Sequence, residues 1–193
     1  METVKVIEFG DLTLKLVHGD ITRYPAEAIV NAANKYLEHG GGVALAIARA
    51  ATDGKPEEYT RLSKEEMRRQ IGRGYIEHGE VVITPALALG RYGIKFVIHT
   101  VGPICGGSWN EELKEKLRKA LMAPIRKAEE MKLRSIAFPA ISAGIYGCPI
   151  EEVVKTFIEV IEEFSKNARE LKEIALVLFD EESLRRALKV LGA

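Results

Sequence analysis

The chain has no apolar run approaching the roughly 18 to 20 residues that a membrane span requires, and Met1 to Leu16 alternates instead of forming a signal-peptide core. These gaps predict a soluble cytoplasmic protein with no membrane partner. CxxC pairs and Cys/His clusters are also missing. The two cysteines, Cys105 and Cys148, lie far apart and are expected to form neither a disulfide framework nor a zinc site, so no metal is expected. An excess of charge of either sign is absent too, with 28 Lys and Arg against 28 Asp and Glu. That balance lacks the basic field of a dedicated nucleic-acid binder and argues against nucleic acid as a partner. Short polar side chains are scarce: 24 Glu stand beside only four Asp, four Asn and one Gln. Each Asp and Asn is therefore informative. The Lys/Glu-rich, amide-poor composition resembles that reported for hyperthermophiles and predicts high heat stability.

What is present is an ordinary globular composition, 47% hydrophobic and 29% charged over 193 residues, enough for one domain with a real core. Residues 4–9 and 12–17 alternate around Gly10-Asp11 and predict a hairpin. Short apolar, β-rich runs follow at 28–31, 80–84, 96–101, 135–138 and 174–179. Between them helical spacing recurs. Glu57 to Ile71 is one such stretch, and its charge-rich part from Lys64 to Arg73 reads as a solvated face. Asn110 is placed to cap a helix through Leu113, Leu117, Leu121, Ile125 and Ala128, with Pro124 expected to kink it. Pro149 is placed to start another through Val153, Phe157, Ile161 and Phe164, and Asp180 to cap a last one through Leu184, Leu188 and Leu191. Interleaved strands and helices predict an α/β protein, three layers around a mixed sheet, with the first hairpin as an antiparallel edge.

In such sheets ligands bind beyond the carboxyl ends of the strands. Four segments there are chemically unusual. In Val17-His18-Gly19-Asp20-Ile21-Thr22 a carboxylate follows a strand directly, either as a turn or cap residue, like the other three aspartates, or as an acceptor for an exocyclic amine. Asn31-Ala32-Ala33-Asn34 brings two of the four asparagines out of a buried strand. Asn31 reads better as a tie for neighbouring backbone, while Asn34, nearer the glycines, could hold a ribose hydroxyl. Gly40-Gly41-Gly42-Val43-Ala44 precedes a helix expected from Leu45 to Ala51, where backbone N–H groups and the helix dipole favour an anion. It is not GxGxxG, and Gly54-Lys55 lacks the rest of a Walker A, which disfavours dinucleotide dehydrogenases and P-loop NTPases. The fourth segment, Pro139 to Pro149, is a small-residue loop before a helix and a second anion cradle. It also looks like a serine nucleophile elbow, but His18, His39, His78 and His99 all precede Ser142, the reverse of α/β-hydrolase order. The histidines read as structural or exposed. Two anion loops, an acceptor near one end and an amide near the middle describe a nucleotide or phosphosugar site.

These segments resemble the macro domain family, in the family's order and approximate spacing, over nearly the whole chain. The resemblance implies a three-layer α/β/α macro domain spanning residues 1–193, binding ADP-ribose. By position it implies that Asp20 accepts from adenine N6 beside Gly19 and the Ile21 backbone, and that Phe179 packs on the adenine face. A core role for Phe179 is the competing reading. It further implies that Ser142, Ala143, Gly144, Ile145 and Tyr146 wrap the diphosphate, that Gly41, Gly42 and Val43 close the other side, and that Ala33 and Asn34 flank the distal ribose. Tyr146 packs against that ribose or merely covers the core.

Catalysis is the open point. Relatives include readers, hydrolases that free mono-ADP-ribose from acidic side chains, deacetylases of O-acetyl-ADP-ribose and weak phosphatases of ADP-ribose 1″-phosphate. Poly-ADP-ribose ends are a further candidate ligand. The more active hydrolase branch has an Asp after Gly-Gly-Gly-Val, where this chain has Ala44. Asn34, Gly42 and Tyr146 are then the catalytic candidates, working by positioning, with a substrate phosphate as base. The expectation is a monomer without cofactor that recognises ADP-ribose and ADP-ribosylated proteins and hydrolyses slowly. A reader without turnover, a serine esterase using Ser142 and a poly(A)-binding module are the alternatives.

Overall fold

The computed structural model describes residues 1–192; Ala193, the last residue of the expected domain, lies outside them. Seven strands form one sheet, and five α-helices cover it. In chain order they are β1 (Glu2–Phe9), β2 (Leu12–His18), β3 (Ala28–Ala33), α1 (Gly42–Ala51), α2 (Pro56–Ile71), β4 (Val82–Pro85), β5 (Phe96–Val101), α3 (Glu111–Glu130), β6 (Ser135–Phe138), α4 (Ile150–Ser165), β7 (Glu173–Leu178) and α5 (Glu181–Val190).

The sheet order is β1-β2-β7-β6-β3-β5-β4. The five central strands run parallel, and β1 and β4 are antiparallel to their neighbours. The first hairpin is thus the expected antiparallel edge. A second such edge, β4, closes the opposite side, which the patterning did not indicate.

Alternation along each central strand divides the core between the two faces. Val30, Ile98, Ile136, Phe138 and Leu176 join the cluster under α3, α4 and α5. Ile29, Val97, Ala137, Ala175 and Val177 face Ile47, Ala48 and Tyr59 of α1 and α2. A one-residue slip of any strand would exchange the two sets. The caps expected from sequence are in place: the Asn110 side chain accepts from Leu113 N–H, and Asp180 accepts from Ser183 N–H. Pro149 is the residue before α4 rather than its first helical residue, and α3 runs uninterrupted across Pro124.

The cysteines require a correction. Cys105 and Cys148, 43 residues apart, are joined by a disulfide with Cα atoms 4.9 Å apart. Sequence separation concealed the pairing because the loops after β5 and β6 emerge from the same end of the sheet, on the two strands that flank β3. Among the described residues no cluster of metal-ligating side chains occurs. Among the described residues no helix is long and apolar enough to cross a membrane.

A two-lobed cleft at the strand ends

The loops after β2, β3, β6 and β7 border a cleft with two lobes, of about 570 and about 540 Å³. Gly42, Val43, Pro139, Ala140 and Gly144 line both, so the lobes are continuous. The cleft lies where the parallel order reverses between the chain's two halves, the usual place for a ligand in such a sheet.

One lobe is built around Asp20. This residue precedes a short 3-10 turn, Ile21–Arg23, and one carboxylate oxygen, Oδ1, accepts from Thr22 N–H at 2.9 Å and from the Thr22 hydroxyl at 2.7 Å. The turn-cap reading thus holds for Oδ1, while Oδ2 has no hydrogen-bond partner among the described residues. Phe179, the first residue after β7, is 79% exposed on the rim of this lobe, which excludes its reading as a core aromatic. His18 holds the backbone beneath it, its Nε2 lying 3.0 Å from the Phe179 carbonyl.

The middle of the cleft is lined by backbone N–H groups. Helix α1 starts at Gly42 with Gly41 before it and no side-chain cap, so its first-turn N–H groups remain open to a ligand. A Cβ on Gly40, Gly41, Gly42 or Gly144 would meet nothing within 4 Å, so the backbone there borders open space. Across the cleft, the N–H groups of Ala143, Gly147 and Cys148 are satisfied within the 140–148 loop. Those of Gly144, Ile145 and Tyr146 donate to no described protein acceptor. This loop is firmly braced. Ser142, with φ 65°, is buried, and a Cβ on Gly102 would lie 2.1 Å from its hydroxyl oxygen, so only glycine fits beneath it. At the other end Cys105 and Gly106 N–H both donate to the Tyr146 carbonyl, and a Cβ on Gly147 would lie 3.1 Å from Gly107 N.

The second lobe contains Ala33, Asn34, Glu38 and Tyr146. Asn34 is half-buried and works mainly on its own loop: its oxygen accepts from Tyr36 and Glu38 N–H, and its Nδ2 donates weakly to the Glu38 carbonyl at 3.3 Å. That tying role was expected of Asn31 instead. Asn31 is fully buried, with its amide 3.0 Å from His99 Nδ1. Behind the lobe this contact continues through Thr84 to the Tyr59 hydroxyl, with the His39 ring packed edge-on against both Tyr59 and His99. Burial lowers the imidazole pKa of His99 to about 3 and of His39 to about 4, so both are neutral at ordinary pH. Sequence reading missed this network. The only available signal was the presence of two histidines next to buried strands.

The esterase reading lacks its parts. Among the described residues the Ser142 hydroxyl has no hydrogen-bond partner, and the four histidines are bonded to Phe179, Thr60, Val101, Thr84 and Asn31 instead. No described base reaches the serine.

A family model described as Macro domain matches residues 30–157. A protein of Archaeoglobus fulgidus named ADP-ribose glycohydrolase is 61% identical over 190 residues, 98% of this chain and 97% of its own length. An uncharacterized protein of Thermococcus kodakarensis is 64% identical over 175 residues, 91% of this chain and 97% of its own. Among solved structures, a mutant of the Oceanobacillus iheyensis macrodomain with ADPR has 34% identity and a TM-score of 0.84, covering 97% of this chain and 96% of that one. The Trypanosoma brucei macrodomain in complex with ADP-ribose has 28% identity and a TM-score of 0.75, covering 93% of this chain and 69% of that one.

Proposed function

The chain belongs to the macro domain family, and from that membership we propose that the two-lobed cleft binds ADP-ribose and hydrolyses its distal-ribose linkage slowly. The supporting observation is the run of unpartnered N–H groups at Gly144, Ile145 and Tyr146 facing the uncapped start of α1, a cradle for two phosphates between the lobes. Adenine then occupies the Asp20 lobe. The free Oδ2 accepts from N6, Gly19 and the Ile21 backbone approach the ring edge, and Phe179 covers a ring face. The distal ribose occupies the other lobe, between Asn34, with Ala33 beside it, and Tyr146. Ser142 and Ala143 hold the shape of the diphosphate loop, and Gly41, Gly42 and Val43 contribute N–H groups from the opposite wall.

In the hydrolytic step a water oxygen bonds to C1″ as the bond to the acceptor carboxylate breaks; the water's proton passes to the base and the acceptor leaves as a carboxylate anion. Among the residues lining this lobe the single carboxylate is Glu38, which is exposed and 3.5 Å from Lys64. Ala44 offers none. The protein's contribution is therefore positioning by Asn34, Gly42 and Tyr146, with a diphosphate oxygen of the substrate as proton acceptor, and turnover is slow. The lack of a carboxylate at Ala44 favours a second reading, a reader of ADP-ribosylated proteins without catalysis.

Isothermal titration with ADP-ribose, AMP and ribose 5-phosphate tests the binding. Micromolar or tighter affinity for ADP-ribose, about −8 kcal/mol, with both fragments much weaker, is expected; no heat and no thermal stabilisation would refute it. Release of ADP-ribose from a modified glutamate above the uncatalysed rate, abolished by Asn34→Ala, separates the hydrolase from the reader.

A further inference from the structure

Beside the distal-ribose lobe lies a smaller groove of about 290 Å³, which shares Gly102 and Tyr146 with it. None of the roles above uses it. Its floor is apolar, with Ile76, Val101 and Pro103 buried, and Ile104 stands 69% exposed on its rim. Two cations line it. Lys35, next to Asn34, has no carboxylate within 4.0 Å among the described residues, and its ammonium lies 5.5 Å from the centre of the Tyr75 ring. Lys116, on α3, is paired among the described residues only with Glu112, whose own side chain is 78% exposed. The one carboxylate lining the groove is Glu77.

We propose that this groove is the track for the acceptor polypeptide, and that it selects modified residues embedded in acidic sequence. The proposal rests on the ADP-ribose reading, which puts the adenine at the far end of the cleft and the linkage to the acceptor at the Asn34 and Tyr146 end. A polypeptide attached at C1″ must leave the cleft on that side, and the adjoining depression is this groove. Its apolar floor accommodates backbone and aliphatic stems. Lys35 attracts a carboxylate without giving up an ion-pair partner, and Lys116 exchanges a solvent-exposed one at little cost. Because both cations sit at the surface, the preference weakens as salt rises.

The test uses the whole protein and peptides carrying ADP-ribose through a hydrolysis-resistant linkage, one with Glu and one with Lys on both sides of the attachment. At low salt the Glu-flanked peptide binds roughly three- to tenfold more tightly than the Lys-flanked one. In the double variant Lys35→Glu, Lys116→Glu that ratio falls to one or below, while free ADP-ribose binds within about twofold of wild type. Equal affinity of the wild type for both peptides, with free ADP-ribose still bound, overturns the groove and leaves the cleft assignment intact. Failure to bind free ADP-ribose removes the reading on which the groove depends.

Discussion

The proposed function gives Asp20 two roles on two oxygens, and a pair of substitutions separates them. Oδ1 accepts from Thr22 N–H at 2.9 Å and from the Thr22 hydroxyl at 2.7 Å, whereas Oδ2 is the oxygen proposed to accept from the adenine amine. Asp20→Ala removes both. Losing the cap costs about 0.5 to 2 kcal/mol of stability, and leaving the adenine amine unpaired costs about 1 to 3 kcal/mol of binding, roughly 5- to 150-fold in Kd. Asp20→Asn retains an acceptor for Thr22 but turns an NH₂ donor toward the adenine donor. Its unfolding midpoint in urea is therefore expected close to wild type, while its ADP-ribose affinity falls at least as far as that of the alanine variant. AMP should show the same loss, since the contact belongs to the adenosine half. An Asp20→Asn protein that binds ADP-ribose as tightly as wild type would refute the acceptor role and leave Asp20 as a turn cap alone.

Phe179→Ala is expected to weaken ADP-ribose binding by about 1 to 3 kcal/mol through lost stacking, read by titration. Because Phe179 is 79% exposed, its unfolding free energy should move by less than about 0.5 kcal/mol. Replacing both Cys105 and Cys148 by serine removes the cross-link, and for a 43-residue separation the chain-entropy estimate is a loss of at most about 4 kcal/mol, checked by chemical unfolding. An unchanged midpoint would mean that the cross-link contributes nothing to stability. Acid should destabilise the protein through the two buried histidines, whose pKa values lie at about 4 and about 3 when folded. The unfolded chain binds these protons near pH 6.5, so the contribution is intact above that pH and is lost as pH falls toward 4. At pH 5 the loss is roughly 2 kcal/mol per histidine. Urea titrations between pH 7 and 5 measure it, and His99→Gln should flatten the slope; an equally steep slope in that variant assigns the protons elsewhere.

The layers, the first hairpin and the caps at Asn110 and Asp180 were legible because each is signalled locally, by period or by one short polar side chain. The cleft residues were legible for a related reason: glycines and short polar groups at strand ends have few structural explanations when amides are so rare. Other features depend on what tertiary structure brings together. Four-residue β4 is too short to announce its direction, and it pairs antiparallel because β5 offers it an edge. The disulfide required knowing that the loops after β5 and β6 meet. The division of labour between Asn31 and Asn34 depended on His99 lying opposite Asn31 in the β3–β5 register. The exposure of Phe179 depended on where β7 ends, one residue earlier than its apolar run predicts.

The bond between Cys105 and Cys148 has a consequence for the covalent shape of the molecule. It makes residues 105–148 a closed ring that contains all of α3 and β6, from which the two chain ends emerge as tails. A protease cut inside the ring, such as one at the turn around Lys132 after α3, leaves every fragment attached. A cut in either tail sheds a piece. Partial digestion run with and without reductant therefore sorts cleavage sites into ring and tail, and it reports the oxidation state of the cysteines in the same lanes.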